Sequence, residues 1–120
     1  MEDVTLSELR TRLGEEALVL LDVRTRLEFE GTAGAHCDPR QGHIAGAHNL
    51  PLDELLACRC AEDVRVLVGA PLGAEIVAYC HSGQRSAFAV HVLRGAGDRA
   101  RHYPGAWHEW SRDPDLPGEP

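Results

Sequence analysis

The residues best suited to chemistry in this chain form one short loop, Cys80-His81-Ser82-Gly83-Gln84-Arg85-Ser86. Before it, Ile76 to Tyr79 is an apolar run that reads as a strand. After it, Ser86 to Leu93 is apolar around most of its circumference and reads as a buried helix capped by Ser86. A thiol at the carboxyl end of a strand then faces a loop whose N–H groups can turn inward as an anion nest, and a helix N-terminus adds partial positive charge. Arg85 adds a full one. Each contribution favours a sulfur anion, so Cys80 is expected to act as a nucleophile. Gly83 supplies the residue that tolerates positive φ in a tight loop. A merely buried strand-end cysteine would account for Cys80, but not for a glycine, an arginine and a helix-capping serine gathered around it.

The elements that must position this loop are legible on either side. Thr5 to Leu13 places Leu6, Leu9 and Leu13 at helical spacing, with Thr5 as cap, Glu8 three residues on, and Gly14 as stop. Leu18 to Val23 is a continuous apolar run interrupted only by Asp22, the pattern of a strand buried on both faces in a parallel sheet. Gly31 to Gly46 reads as a long loop, His48 to Leu50 as a short strand, Pro51 to Ala57 as a helix and Arg101 to Tyr103 as a last strand. The proline-rich tail after Trp110 is expected to lie extended over the surface. Strands alternating with helices predict an α/β fold of three layers, with a central, mostly parallel sheet flanked by helices.

At 120 residues the chain matches one compact domain, 1–120. Twelve basic against nineteen acidic residues, a net charge of −7, fit a phosphate backbone poorly, so no nucleic-acid partner is expected. No apolar run approaches the ~20 residues that span a bilayer, and Met1 leads into Glu2 and Asp3 without a basic, apolar leader. No membrane association and a cytoplasmic location are the expectation. In such a compartment Cys37, Cys58, Cys60 and Cys80 are free thiols or metal ligands before they are disulfides.

The loop CHSGQRS, the segment GHIAGAHNLP (Gly42 to Pro51), the strand LLDVR (Leu20 to Arg24) and the tail YPGAWHEWSRDPDLP (Tyr103 to Pro117) together resemble the rhodanese sulfurtransferases. The matches occur in that family's order across nearly the whole chain. The tail is most similar to the catalytic C-terminal domain of two-domain thiosulfate and mercaptopyruvate sulfurtransferases. The resemblance implies that Cys80 carries a sulfane sulfur from a small-molecule donor to a thiophilic acceptor as a persulfide. It implies no cofactor, and an acceptor protein as a further partner. His81, Ser82, Gly83, Gln84, Arg85 and Ser86 would form the substrate cradle, with Arg85 drawing in anionic thiosulfate. Four residues separate Cys80 from Arg85, whereas related dual-specificity phosphatases and arsenate reductases place five there to enclose a tetrahedral oxyanion. The shorter loop favours sulfur.

Two departures bear on the donor. Where two-domain vertebrate-type enzymes carry an arginine four residues after the Asp-x-Arg arginine, this chain has Glu28, which can pair with Arg85 and orient it. His81 stands where thiosulfate users often have arginine. Mercaptopyruvate users have Gly-Ser-Gly after the cysteine and a threonine at the position of Arg85, so the loop leans to thiosulfate, with mercaptopyruvate the alternative. The partner half of the two-domain enzymes is lacking, which predicts either a stand-alone protein or an excised half.

Asp22 and Arg24 read as a strand-end ion pair in preference to substrate contacts, and His43 as a brace that hydrogen-bonds backbone at a turn. Cys58-Arg59-Cys60, with His36, Cys37 and His43 upstream, lacks the paired Cys-x₂₋₄-Cys knuckles of a structural zinc site, so no metal is expected. Cys37 lies in the loop that would overhang Cys80. Trp107 and Trp110, three apart, read as packing that pins the tail. The competing function classes are a non-catalytic rhodanese-like binding or redox module, a phosphatase, and a zinc module.

Overall fold

The computed structural model describes residues 2–120. Four parallel strands form the central sheet: β1 (Leu18–Asp22), β3 (His48–Asn49), β4 (Glu75–Tyr79) and β5 (Arg99–His102), in the order β3-β1-β4-β5. Alternation along a strand sends successive side chains to opposite faces. Leu21, Ile76 and Ala78 therefore meet Leu55, Val64, Ala89 and Leu93 on one side. Leu20, Val77 and Tyr79 meet Leu9, Tyr103, Trp107 and Trp110 on the other. With each such side chain contributing roughly 1.5–3 kcal/mol on burial, both faces need a cover. The fold is thus the three-layer α/β arrangement expected.

The first face is covered by α3 (Leu52–Leu56), α4 (Ala61–Val68) and α5 (Gln84–Gly95), the second by α1 (Leu6–Arg12) and α6 (Ala106–Trp110). Thr5 caps α1, its hydroxyl accepting from the Glu8 N–H at 3.2 Å. The N-terminal segment also lines the outer edge of β5: the Val4 N–H donates to the His102 carbonyl at 2.8 Å and Arg101 Nε to the Glu2 carbonyl at 2.9 Å. Among the described residues no helix is long and apolar enough to cross a membrane.

The structure corrects three boundaries or readings. Helix α5 begins at Gln84, not Ser86, and its N-cap is Gly83, with no side-chain cap; Ser86 lies inside the first turn. The segment Gly31 to Gly46 is not wholly loop, because β2 (His43–Ile44) closes it by pairing antiparallel with β6 (Gly118–Glu119). The tail lies over the surface as expected, and the structure shows what pins it there. Leu116 is buried, Trp110 Nε1 donates to the Pro117 carbonyl at 2.9 Å, and the Arg40 guanidinium donates to the carbonyls of Trp110, Ser111, Asp113 and Leu116 at 2.9–3.1 Å. Two helices had no counterpart in the sequence reading: α4, and the one-turn α2 (Arg26–Phe29), which is held by a capping box between Thr25 and Glu28.

Candidate active site

Parallel strands that end on one side leave a crevice at their carboxyl edge, and Cys80 follows β4 there. The thiol is almost fully enclosed, with the residue 1% exposed. Its Sγ accepts from the Gly83 N–H at 3.1 Å, the Ser86 N–H at 3.4 Å and the Ser86 hydroxyl at 3.3 Å. Gly83 makes this turn possible at φ +104°, where a Cβ would lie 3.1 Å from the Pro104 carbonyl oxygen. From outside, α6 holds the loop by its own backbone: the Trp107 N–H donates to the Cys80 carbonyl and the His108 N–H to the His81 carbonyl, both at 3.0 Å. Three donors on a buried sulfur, at the start of a twelve-residue helix, make an environment in which a sulfur anion is compensated.

Ser86 has a second partner. Its Oγ lies 2.7 Å from Nε2 of His102, at the end of β5. The parallel register that pairs Ala78 with His102 brings this histidine to the same edge as Cys80. Burial pushes the His102 imidazole below its usual range. Nothing local marks His102 in the sequence; only the pairing of β4 with β5 reveals it.

Arg85 is half-exposed and grips Glu28 with both outer nitrogens, Nη1 to Oε1 at 2.7 Å and Nη2 to Oε2 at 3.0 Å. Burial alone would raise the Glu28 carboxyl, but the hydrogen bonds from Arg85 and Thr25 outweigh it and hold the group at about 2. The carboxylate thus stays charged and fixes the guanidinium in place. Ser82 and Gln84 face solvent.

Asp22 and Arg24 make a fully buried ion pair, Nη2 to Oδ2 at 2.7 Å, with residue exposures of 0% and 1%. Arg24 also donates to the Gly42 carbonyl at 2.5 Å and lies 5.5 Å from the Trp107 ring centroid. It ties β1, the loop before β2, and α6 together behind the site and makes no opening toward a ligand. His43 stacks on Phe29 at 3.5 Å between ring centroids and hydrogen-bonds the Phe29 carbonyl through Nδ1 at 2.7 Å. It braces the end of α2, which carries Glu28.

His81 turns its ring to Asp38 and His108: Nε2 lies 3.1 Å from Asp38 Oδ2, and the two histidine rings meet edge to face at 5.4 Å. Cys37, Asp38, His81 and His108 come together, each offering an atom within 4.8 Å of the others. Cys58 and Cys60 are not in that group; Cys58 Sγ donates to the Glu54 carbonyl at 3.6 Å and Cys60 is the N-cap of α4. Asp38 was not singled out in the sequence, having no periodic or motif signal of its own.

Comparison with known proteins identifies the family. The model of the rhodanese-like domain matches residues 5–113. The thiosulfate sulfurtransferase of Pseudomonas aeruginosa is 31% identical over 96% of this chain and 45% of its own length. The probable 3-mercaptopyruvate sulfurtransferase of the same organism is 35% identical over 95% of this chain and 43% of its own. A crystal structure of a probable thiosulfate sulfurtransferase superposes with a TM-score of 0.82 at 42% identity, covering 98% of this chain and 47% of that one. The chain therefore spans under half the length of these relatives.

Proposed function

The chain belongs to the rhodanese-like domain family, and from that premise we propose that it is a sulfurtransferase that moves a sulfane sulfur from thiosulfate to cyanide or another thiophile through a persulfide on Cys80. The observation that carries this reading is the set of three donors, the Gly83 and Ser86 amides and the Ser86 hydroxyl, converging on Cys80 Sγ. In the first step the Cys80 thiolate attacks the outer sulfur of thiosulfate. A new S–S bond forms, the old one breaks, and sulfite leaves with its electron pair. In the second step the acceptor attacks the terminal sulfur and Cys80 departs as the thiolate; with cyanide the product is thiocyanate. The donors compensate negative charge in both resting states and cost no reorganisation between them.

Arg85 supports thiosulfate as the donor, because its guanidinium is the cation of the loop, pre-aimed by Glu28. A second donor, 3-mercaptopyruvate, is favoured by one observation, the 35% identity to the mercaptopyruvate-type relative. His81, Ser82, Gly83, Gln84, Arg85 and Ser86 frame the substrate, while Asp22, Arg24, Glu28 and His43 support the frame. The acceptor is a small thiophile or the thiol of an acceptor protein, and the chain works in the cytoplasm without a cofactor.

Intact mass spectrometry tests this reading. Wild type treated with thiosulfate should gain the mass of one sulfur atom, which cyanide should remove as thiocyanate, and Cys80→Ser should gain nothing. Sulfur loading by Cys80→Ser would overturn the mechanism. No loading from thiosulfate together with loading from mercaptopyruvate would exchange the donor, and no loading from either would leave a binding module.

A further inference from the structure

We propose that Cys37, Asp38, His81 and His108 form a binding site for a divalent cation of the zinc class. The four come from three segments: Cys37 and Asp38 from the loop before β2, His81 from the loop after Cys80, and His108 from α6. Each offers one ligand atom, and these lie within 4.8 Å of one another. Tetrahedral zinc with Zn–N ~2.0–2.1 Å and Zn–S ~2.3 Å requires ligand atoms roughly 3.3–3.7 Å apart. Asp38 and His81 stand slightly inside that spacing at 3.1 Å, and the side chains that must shift to complete it, Cys37 and His108, are the more exposed ones.

A second observation points to a ligand independently of this clustering. Asp38 Oδ2 and His81 Nε2 are both buried atoms without a hydrogen-bond partner. They stand 3.1 Å apart but do not form a hydrogen bond with each other. The Asp38 side chain is only 1% exposed. Its other oxygen is fully engaged: Oδ1 lies 3.2 Å from Arg112 Nη1, 3.2 Å from His108 Nδ1 and 3.9 Å from Cys37 Sγ. A buried carboxylate oxygen with its neighbour satisfied and itself left open is unusual in a folded protein. An ion seated between Asp38 Oδ2 and His81 Nε2 would satisfy both atoms.

The frame that holds the four residues is set by bonds that do not involve their ligand atoms. The His108 N–H donates to the His81 carbonyl at 3.0 Å, and Arg112 Nη2 donates to the Cys37 carbonyl at 3.0 Å. Backbone preorganisation of this kind is what a metal site needs from its scaffold. The donor set is one thiolate, one carboxylate and two imidazoles, the mixture of sulfur, oxygen and nitrogen that suits zinc above magnesium or calcium. The dication would meet one thiolate and one carboxylate, and the Arg112 guanidinium holds the other oxygen of that carboxylate at 3.2 Å. Binding displaces the Cys37 thiol proton to solvent. The bound ion would rivet the loop before β2 and α6 to the residue next to Cys80. This site departs from the expectation of no metal, and it uses only Cys37 of the cysteines considered there.

Cobalt(II), a coloured stand-in for zinc, provides the test, in a Cys80→Ser background so that the nucleophile cannot ligate. We expect one equivalent of cobalt per chain, with tetrahedral d–d bands and a thiolate-to-cobalt charge-transfer band, displaced by one equivalent of zinc. Adding Cys37→Ser should abolish the charge-transfer band and weaken binding by an order of magnitude or more. Adding His108→Ala should weaken binding similarly while the charge-transfer band survives at saturating cobalt. The Cys58→Ser/Cys60→Ser double variant should match its parent. Circular dichroism establishes that each variant is folded. The proposal fails if cobalt gives no tetrahedral spectrum, if the charge-transfer band survives Cys37→Ser, or if the Cys58/Cys60 variant loses it. No arm reads sulfur transfer, so failure here and failure of the sulfurtransferase reading are separate results.

Discussion

Ser86 Oγ lies 2.7 Å from His102 Nε2 and 3.3 Å from Cys80 Sγ, so the serine hydroxyl joins a histidine of β5 to the nucleophile. A hydroxyl has one proton. When His102 Nε2 donates to Oγ, the proton is left for Sγ or for the Gly83 carbonyl, both 3.3 Å away, and given to Sγ it completes the sulfur's set of three donors. Hydrogen bonds to a charged partner are worth about 1.5–3 kcal/mol. Ser86→Ala should therefore slow sulfur loading of Cys80, and its alkylation by iodoacetamide, by about tenfold or more. His102→Leu, which frees the hydroxyl to turn away, should slow both by a smaller factor, and His102→Gln should restore part of the loss. Stopped-flow alkylation with unchanged rates in Ser86→Ala would remove the serine from the mechanism.

His102 also predicts a pH dependence of stability. Burial lowers its folded pKa below that of the unfolded chain, so the unfolded state takes up a proton first as pH falls. The neutral ring's contribution is full above the ordinary histidine value of about 6.5. Below it stability declines until pH passes the folded pKa. Urea titrations between pH 7.5 and 5 should show this slope in wild type and a shallower one in His102→Gln; equal slopes would show that His102 is not the group responsible.

The Glu28 carboxyl, held at about 2, behaves in the opposite sense. Its contribution is complete above the unfolded value near 4.3 and is lost as pH falls toward 2. With Arg85 half in solvent, the pair is worth about 1 kcal/mol. Glu28→Gln should lower stability by about that much, yet it raises the positive charge of the rim by one unit. Thiosulfate KM should fall a few-fold, most visibly at low salt. A raised KM would mean that aiming Arg85 matters more than its net charge.

Asp22 and Arg24 carry the largest expected stability cost. Removing one partner of a fully buried pair strands the other, at about 3–5 kcal/mol. Asp22→Ala should leave the chain largely unfolded or insoluble at 37 °C. A well-folded Asp22→Ala, judged by thermal melting, would show that water or a neighbour compensates Arg24.

Arg40 should act on the tail alone. Arg40→Ala strips donors from four carbonyls around α6 and the tail, and unmet buried carbonyls each cost about 1–3 kcal/mol. Residues 111–120 should then become the first site of limited proteolysis, while loading of Cys80 persists at a reduced rate. An unaltered cleavage pattern would assign the tail's anchorage to Leu116 and the Trp110–Pro117 bond.

How much of this was legible in the chain follows from where each contact lies. The strand, turn and helix around Cys80, and the Asp22–Arg24 pair, are local in sequence, so residue type and spacing reveal them. Asp38, His102 and His108 belong to the site only because β4 and β5 share a register and because α6 folds back over the loop. Helix α2 was missed because it is four residues long, although its Thr25-x-x-Glu28 capping box stands in the sequence. Helix α4 has no side-chain cap at its start and buries only Val64 of its eight residues, so neither a cap nor an apolar stripe marks it in the sequence. Ser86 reads as a cap from its helix-favouring position, but in the fold its hydroxyl has Cys80 Sγ, the Gly83 carbonyl and His102 Nε2 within reach, and the N–H groups of Gly83 and Ser86 turn to the sulfur as well.

The residues ahead of α1 have a consequence for how this chain meets copies of itself. Strand β5 ends the sheet on one side, and a bare outer strand offers unpaired backbone groups to any extended segment that drifts past. Here Val4 occupies the His102 carbonyl and Arg101 reaches back to the Glu2 carbonyl, so that edge is already sealed from within. At the opposite side β3 is only two residues long and offers a template too short to recruit a neighbour. Colloidal stability at high concentration therefore hangs on a segment of a few residues outside the Cys80 loop, and because Val4 also holds the backbone of His102, peeling that segment away would make the molecule sticky and loosen the histidine behind Ser86.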